Sequence, residues 1–378
     1  MSRLKVLELF AGIGACSEAL TNLGIEHEIV DAVEIDKYAV QSFNAIHGTS
    51  FEPQDITQWD KDDIMDVDLI MHGSPCQDFS VAGKGAGGDK DSGTRSSLMY
   101  ETLRIVDKLL PRYVIWENVK NVLSKKHWHN FEAYIRTMED FGYNSSYMVL
   151  NAKDFGVPQN RERVFTVSIR NNIPYDFKFP TPIPLTKRLK DILEPEVDER
   201  YYLNDKQISR MKTTNYNCSN IEVRLQGDVA RTLCARDYKD PKCVQVAQLY
   251  GFSKEPNPQA GRVYSHDGIS HTMDTMSGGN RMPKIVASRG RGENNEQHLE
   301  PRKDDLTNTI TSVQKDNYVY KDLRIRKLTP KECWRLMGFS DASFDKAQAA
   351  GISNSQLYKQ AGNSIVVNVL EAILRNLL

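Results

Sequence analysis

Apolar runs alternate with amphipathic stretches along the first 170 residues, and few architectures accommodate that rhythm. Residues 4–10 (LKVLELF), 27–35, 68–73, 113–119, 145–152 and 163–170 read as strands. The stretches between them carry apolar residues at helical spacing: 11–24, 36–48, 96–110 and 129–141. Alternation of this kind predicts an α/β fold, a doubly wound, mostly parallel Rossmann-like sheet with helices on both faces. Prolines from Pro174 to Pro195 break the rhythm. Residues 182–321 then read as a smaller β-rich domain, and 322–378 as a segment returning to the first.

In an open sheet of this class, ligands bind beyond the carboxyl ends of the strands. The first strand runs into Phe10-Ala11-Gly12-Ile13-Gly14, a turn whose glycines let backbone approach a ligand at a helix start. It is not a full dinucleotide fingerprint, because Ser17 holds the third glycine position. Glu34 ends the second strand, where an acid can bind ribose hydroxyls. Asp55-Ile56, read as following a third strand, can meet an adenine amino group and cover its ring. No phosphate-holding lysine accompanies the turn, which favours an adenosyl ligand without a triphosphate. Cys76, in Pro75-Cys76-Gln77-Asp78, stands between an apolar strand and the glycine-rich stretch 81–95, which has five glycines. A thiol so placed can be activated and then covered, as a nucleophile requires. The competing reading is a space-filling cysteine.

Net charge is −1 overall, but residues 1–180 carry −7 and 181–378 carry +6, a split compatible with nucleic-acid contact through the second part. The six cysteines include no C-x-x-C pair and no zinc spacing with histidine, so no metal is expected. No signal peptide and no bilayer-length apolar run is visible, predicting a reduced, cytoplasmic protein without membrane contact.

Five segments, ELFAGIGA, GSPCQDFS, WENV, QNRERVF and QAGNSIVVNVL, occur in the order seen in cytosine-5 DNA methyltransferases, and the chain resembles that family over roughly residues 1–180 and 322–378. The resemblance implies S-adenosylmethionine as cofactor. Phe10, Ala11, Gly12, Ile13 and Gly14 would form its turn, Glu34 and Ile35 the ribose side, and Asp55 and Ile56 the adenine side. Ser74, Pro75, Leu98, Asn363, Ser364 and Ile365 would complete the pocket. Ile35 departs from the tryptophan that some members carry. Cys76 would attack C6 of cytosine, Glu117 would meet N3, Arg163 would bind O2, and Arg161 would grip phosphate and the catalytic loop. Two arginines two apart share one face of a strand. A carboxyl that donates at neutral pH needs a raised pKa, which burial provides.

By the same resemblance the partner is double-stranded DNA, bound by a monomer that extrudes the target cytosine, with Gln77, Ser80 and Ala82 on the loop that closes over it. A cognate restriction endonuclease, a phage genome and gene regulation all remain compatible contexts. Rival readings are a transfer-RNA methyltransferase and an inactive DNA-binding regulator on this scaffold. The middle segment holds an internal repeat: Thr232, Thr272 and Thr309, 40 and 37 residues apart, each head a polar stretch and an apolar ending. Each copy reads as a two-stranded unit whose polar turn, 236–242 or 277–284, faces the major groove. Arg236 and Arg281 are candidate DNA ligands. Thr272 is the choice for contact near the flipped nucleotide, in place of a family Thr-Leu pair.

Overall fold

The computed structural model describes residues 3–64, 66–75, 79, 89, 92–202, 222–225, 230–233, 235, 242–245, 284–291, 296–300, 317–320 and 325–378. In chain order the first stretch contains β1 (Leu4–Leu9), α1 (Ala15–Asn22), β2 (His27–Val33), α2 (Lys37–His47), β3 (Leu69–His72), α3 (Met99–Leu109), β4 (Tyr113–Val119), α4 (Trp128–Asp140), β5 (Tyr143–Asn151), β6 (Gln159–Asn160) and β7 (Glu162–Arg170). After it come β8 (Glu222–Leu225), β9 (Ala230–Arg231), β10 (Lys242–Gln245), β11 (Lys284–Arg291), β12 (Glu296–Glu300), β13 (Asn317–Tyr320) and β14 (Ile325–Lys327). Four helices close the chain: α5 (Pro330–Arg335), α6 (Asp341–Ala349), α7 (Asn354–Asn363) and α8 (Val367–Leu377).

Six strands form one sheet in the order β2-β1-β3-β4-β7-β5. β2, β1, β3 and β4 are parallel, and β7 runs antiparallel between β4 and β5. The sheet is therefore mostly parallel, as the alternating pattern predicts. Its central strands are covered on both faces, so their residues are buried in continuous runs: all of Leu69–His72, and Tyr113 through Asn118. One core layer contains Leu7, Leu9, Ile70, Val106, Val114, Trp116, Phe131 and Tyr134. Trp116 is its centre, 4.2 Å from the Tyr134 ring and stacked on His72 at 5.9 Å.

The C-terminal helices belong to the same body. α8 packs on α1 and α6 packs on α2. Lys359 Nζ lies 2.5 Å from Asp36 Oδ2, and Ser42 donates to Gln360 Oε1 at 3.1 Å. α5 starts as its sequence indicates: Thr329 caps it, Pro330 opens its first turn, and Glu332 completes a reciprocal capping box.

Two compact units result. The first comprises Met1–Pro195, Gly227–Pro241 and Thr329–Leu378; the second comprises Glu196–Gln226 and Lys242–Leu328. Residues 182–195 and 227–241 thus pack with the sheet-bearing unit, although the sequence groups them with the middle segment. In the second unit β10 lies between β8 and β14, while β11 pairs with both β12 and β13. The apolar endings of the three repeats are therefore all strands: β10, the start of β11, and β13.

The repeat departs from expectation in its first copy. Its two strands do not pair with each other: β9 lies parallel to β6 and β10 joins β8 and β14. Two residues are too few to hold a hairpin, and buried Gln159 offers β9 a better set of partners. A second departure concerns Asp55. No strand precedes it; Phe51–Gln54 is irregular, anchored where Gln54 N–H donates to Glu34 O at 2.8 Å.

Candidate active site

The turn after β1 is held almost wholly by main chain. Phe10 sits at φ 52, Gly12 at 57 and Gly14 at 81, three left-handed residues in five. For phenylalanine this conformation is strained, a cost that surrounding structure must impose. Ala11 N–H donates to Val33 O at 3.1 Å and Gly14 N–H to Ala11 O at 2.9 Å, which closes the turn against the end of β2. A side chain on Gly12 would meet nothing within 4 Å, so the open space of the turn lies there. On Gly14 it would strike His47 Nε2 at 2.2 Å and Phe43 at 2.8 Å. Gly14, expected to admit a ligand, instead admits α2. His47 Nε2 lies 3.3 Å from Ile13 O, and burial keeps the ring neutral by pushing its pKa down to about 4.

Glu34 reaches the same turn. Its Oε2 accepts Gly12 N–H at 3.1 Å and its Oε1 accepts Asp36 N–H at 2.8 Å. Burial raises its pKa, partly offset by these bonds. Each oxygen keeps a second lone pair for a hydroxyl donor. Asp55 is exposed; its Oδ1 accepts from the Thr57 amide and hydroxyl at 3.0 and 2.9 Å, and Ile56 beside it is buried. Leu98 packs at the start of α3, while Ile35 is 69% exposed.

Beneath the turn lies a further buried carboxyl. Glu8 Oε1 accepts the Ser17 amide at 3.0 Å and the Ser17 hydroxyl, and burial pushes its pKa up to about 7. Cys16 beside it is fully buried, and burial raises its thiol pKa. A cavity of about 510 Å³, bounded by Glu18, His27, His47 and Lys346, contains none of the predicted site residues in its lining.

At the other end of the same carboxyl edge, beyond β4, side chains do the work. β4 and β7 set Val119 opposite Arg163 and Glu117 opposite Phe165. Glu117 and Val119 share one face, so Arg163 meets Glu117 diagonally across the ladder. Arg163 Nε lies 3.0 Å from Glu117 Oε1, with both side chains largely buried. Two influences oppose each other at Glu117. Burial raises its pKa, whereas the positive charges of Arg163 and Arg161 and the Arg163 hydrogen bond lower it; burial prevails.

Gly73 and Ser74 bring β3 to this point. A side chain on Gly73 would lie 3.3 Å from Ile365 Cδ1 and 3.6 Å from Glu117 Oε2, so the C-terminal segment crosses here. Ser74 Oγ accepts Trp116 Nε1–H at 3.0 Å and Asn118 Nδ2–H at 3.2 Å. Its oxygen is thereby tied to the core. Pro75 follows. Cys76, Gln77, Ser80 and Ala82 lie outside the described residues, as do Arg236, Thr272 and Arg281.

Arg161 is 4% exposed and lies between β6 and β7, not within one strand beside Arg163. Its guanidinium donates to Leu233 O at 2.9 Å, Gly362 O at 3.3 Å and Ser364 O at 2.8 Å. Among the described residues, three main-chain carbonyls hold this guanidinium. One arginine thus ties the first repeat to the segment that includes Asn363, Ser364 and Ile365. Gln159 assists: its Oε1 accepts Leu233 N–H at 3.0 Å and its Nε2 donates to Leu336 O at 2.7 Å. Thr232 donates its hydroxyl to Asn160 O at 2.8 Å. VARTL alone among the three copies has an intact Thr-Leu pair, Thr232-Leu233.

Comparison with known proteins decides what this arrangement is. The C-5 cytosine-specific DNA methylase family model matches residues 4–378. The chain belongs to that family. The orphan methyltransferase M.SPBetaI of Bacillus phage SPbeta is 34% identical, the alignment covering 100% of this chain and 98% of that protein. The type II methyltransferase M.HhaI of Haemophilus parahaemolyticus is 32% identical over 100% of this chain and 95% of its own. Two solved structures share the fold: Dnmt2 of S. pombe (TM-score 0.63, 20% identity, 100% of this chain and 98% of that one) and the Entamoeba histolytica methyltransferase EhMeth (TM-score 0.64, 14% identity, the same coverage). This chain is accordingly a DNA cytosine methyltransferase.

Proposed function

We propose that the protein transfers a methyl group from S-adenosylmethionine to C5 of an extruded cytosine in a short duplex site, through a transient bond between Cys76 and C6. The observation that carries this reading is the buried Glu117–Arg163 pair, 3.0 Å apart, at the end of a strand adjacent to the one that leads into Cys76. A carboxyl with a raised pKa and an arginine on one face provide a proton for N3 and a donor for O2.

The residues of the turn suit the cofactor. The open side of Gly12 admits its backbone-proximal part, Glu34 has acceptors for ribose hydroxyls, and Ile56, Leu98 and Ile365 are apolar walls. When bound it supplies the methyl group as an electrophile. On the protein side, the Cys76 thiolate adds to C6 while Glu117 gives its proton to N3, leaving C5 electron-rich. After C5 gains the methyl group, its proton passes to solvent water, and the C5–H electron pair forms the C5–C6 double bond. The C6–S bond then breaks, the thiolate departs and N3 returns its proton to Glu117. Arg161 keeps Ser364 and Leu233 in place during these steps.

Replacing Cys76 by Ser is the direct test. Methylation should disappear while cofactor and DNA binding persist, and a duplex containing 5-fluorocytosine should form a denaturation-resistant adduct with the unaltered protein only. Full turnover by the serine variant overturns the covalent route. Bisulfite sequencing of DNA from a host producing the protein identifies product and site together.

A further inference from the structure

The eleven residues Lys120–Asn130 contain three lysines, two histidines, an exposed tryptophan and no acid, within a half of the chain whose net charge is −7. The segment is rigidly seated: Val122, His127 and Asn130 are buried, whereas Lys125, Lys126, Trp128 and His129 face solvent. It also borders the chemistry on two sides. Asn121 Nδ2 donates to Phe79 O at 2.6 Å, and the His127 ring meets the Phe79 ring edge-on at 5.3 Å. His129 Nε2 and Asn130 Nδ2 lie 2.6 and 2.9 Å from Asp89 Oδ1. Phe79 and Asp89 belong to the stretch that begins at Cys76. On the other side Lys120 Nζ pairs with Glu162 at 3.1 Å, between Arg161 and Arg163.

Solvated lysines are common, but here they adjoin an uncovered aromatic surface. Trp128 is 39% exposed and Tyr147, on the free edge of β5, is 45% exposed, with ring centroids 6.5 Å apart. Lysines beside an aromatic plate suit a polyanion that offers phosphates and sugars together. We propose that Lys125, Lys126 and Trp128 form a duplex-DNA contact surface beside the target cytosine, the lysines on backbone phosphates and the indole against deoxyribose. This inference rests on the reading above and extends its footprint to a part of the catalytic unit that none of the family motifs includes.

The test measures binding of a duplex containing the methylated site across a salt series. Lys125→Gln/Lys126→Gln should weaken binding on the order of tenfold at 0.1 M salt and reduce the slope of log K against log salt by roughly 1.8, with S-adenosylmethionine affinity unchanged. Trp128→Ala should weaken duplex binding several-fold with the salt slope retained, and Trp128→Phe should recover part of it. An unchanged slope in the double variant, with wild-type methylation intact, overturns this surface and leaves the proposed function standing. Weakened binding of structured RNA but not of duplex DNA overturns it as well. Failure of the unaltered protein to methylate DNA removes the underlying reading, and the surface with it.

Discussion

The two working ends of the sheet's carboxyl edge are built from different materials. Beyond β1 and β2 the turn is shaped by backbone: three left-handed residues, amide donors to Glu34, and one glycine that makes room for α2. Beyond β4 and β7 the backbone is ordinary extended strand, and the site consists of charges that the pleat places on one face. The first end is therefore sensitive to added atoms and the second to altered charge. A substitution that is mild at one end should be severe at the other.

Glu117→Gln provides the largest contrast. It conserves shape but cannot transfer a proton, so kcat should fall by roughly 10²–10⁴ while the fold and cofactor affinity persist. Because burial raises the Glu117 pKa, the remaining activity should lose the alkaline limb that the carboxyl imposes on the wild type. Near wild-type turnover in the glutamine variant would place the proton donor elsewhere.

Arg161→Met tests whether charge at the second end also holds structure. The carbonyls of Leu233, Gly362 and Ser364 would lose a buried charged donor. A loss of about 3 kcal/mol in urea unfolding is expected. Lysine should restore little, since one ammonium cannot replace a planar fork reaching three acceptors. A loss below about 1 kcal/mol would show that these carbonyls are satisfied without the guanidinium.

Glu8 extends the comparison to pH. Burial holds its folded pKa at about 7 against an ordinary 4.5, so between those values the unfolded chain releases a proton that the folded one retains. The contribution of Glu8 to stability is therefore full below pH 4.5 and is lost as pH rises toward about 7, by about 3 kcal/mol at 1.36 kcal/mol per pKa unit, while buried His47 and His72 act in the opposite sense. Glu8→Gln should remove that contribution, so the stability difference between the two proteins should change between pH 4.5 and 7 while the other groups act equally in both. Denaturant midpoints of both proteins across this window check it. Parallel curves would mean that Ser17 compensates the charge in full.

Much of this was visible in the residues. Apolar runs and turns marked every strand of the main sheet within one to two positions; in β3 and β4 burial on both faces leaves a continuous signal, while part-exposed β2 and β5 were marked by their apolar residues and flanking turns. Glu117 was legible as well, since a carboxylate closing an apolar strand has few bland explanations. Other features rest on long-range juxtaposition. Nothing local says that Ser74 is bound by Trp116 and Asn118, that Arg161 turns toward carbonyls, or that β9 prefers β6 to β10. Asp55 misled because Phe51–Gln54 is irregular and is anchored by a main-chain bond to Glu34 that no local pattern announces. The basic segment after Val119 was overlooked because its lysines have no periodicity; only the contacts with Phe79 and Asp89 give it a place.

Gly12 and Gly14 separate the two meanings of a glycine within one turn. Gly14→Ala puts a methyl group 2.2 Å from His47 Nε2 and 2.8 Å from Phe43, at φ 81. Overpacking and the left-handed backbone together should cost about 2 kcal/mol or more. Gly12→Ala enters open space at φ 57 and should cost only about 1 kcal/mol in stability. Its effect should instead appear as a raised KM for S-adenosylmethionine, since the new methyl group points where the cofactor is placed. Adding His47→Ala to Gly14→Ala should recover part of the lost stability, though Phe43 limits the recovery. Should Gly14→Ala fold normally and lose only cofactor affinity, the turn would be a single ligand-facing surface, and its support by α2 would be incidental.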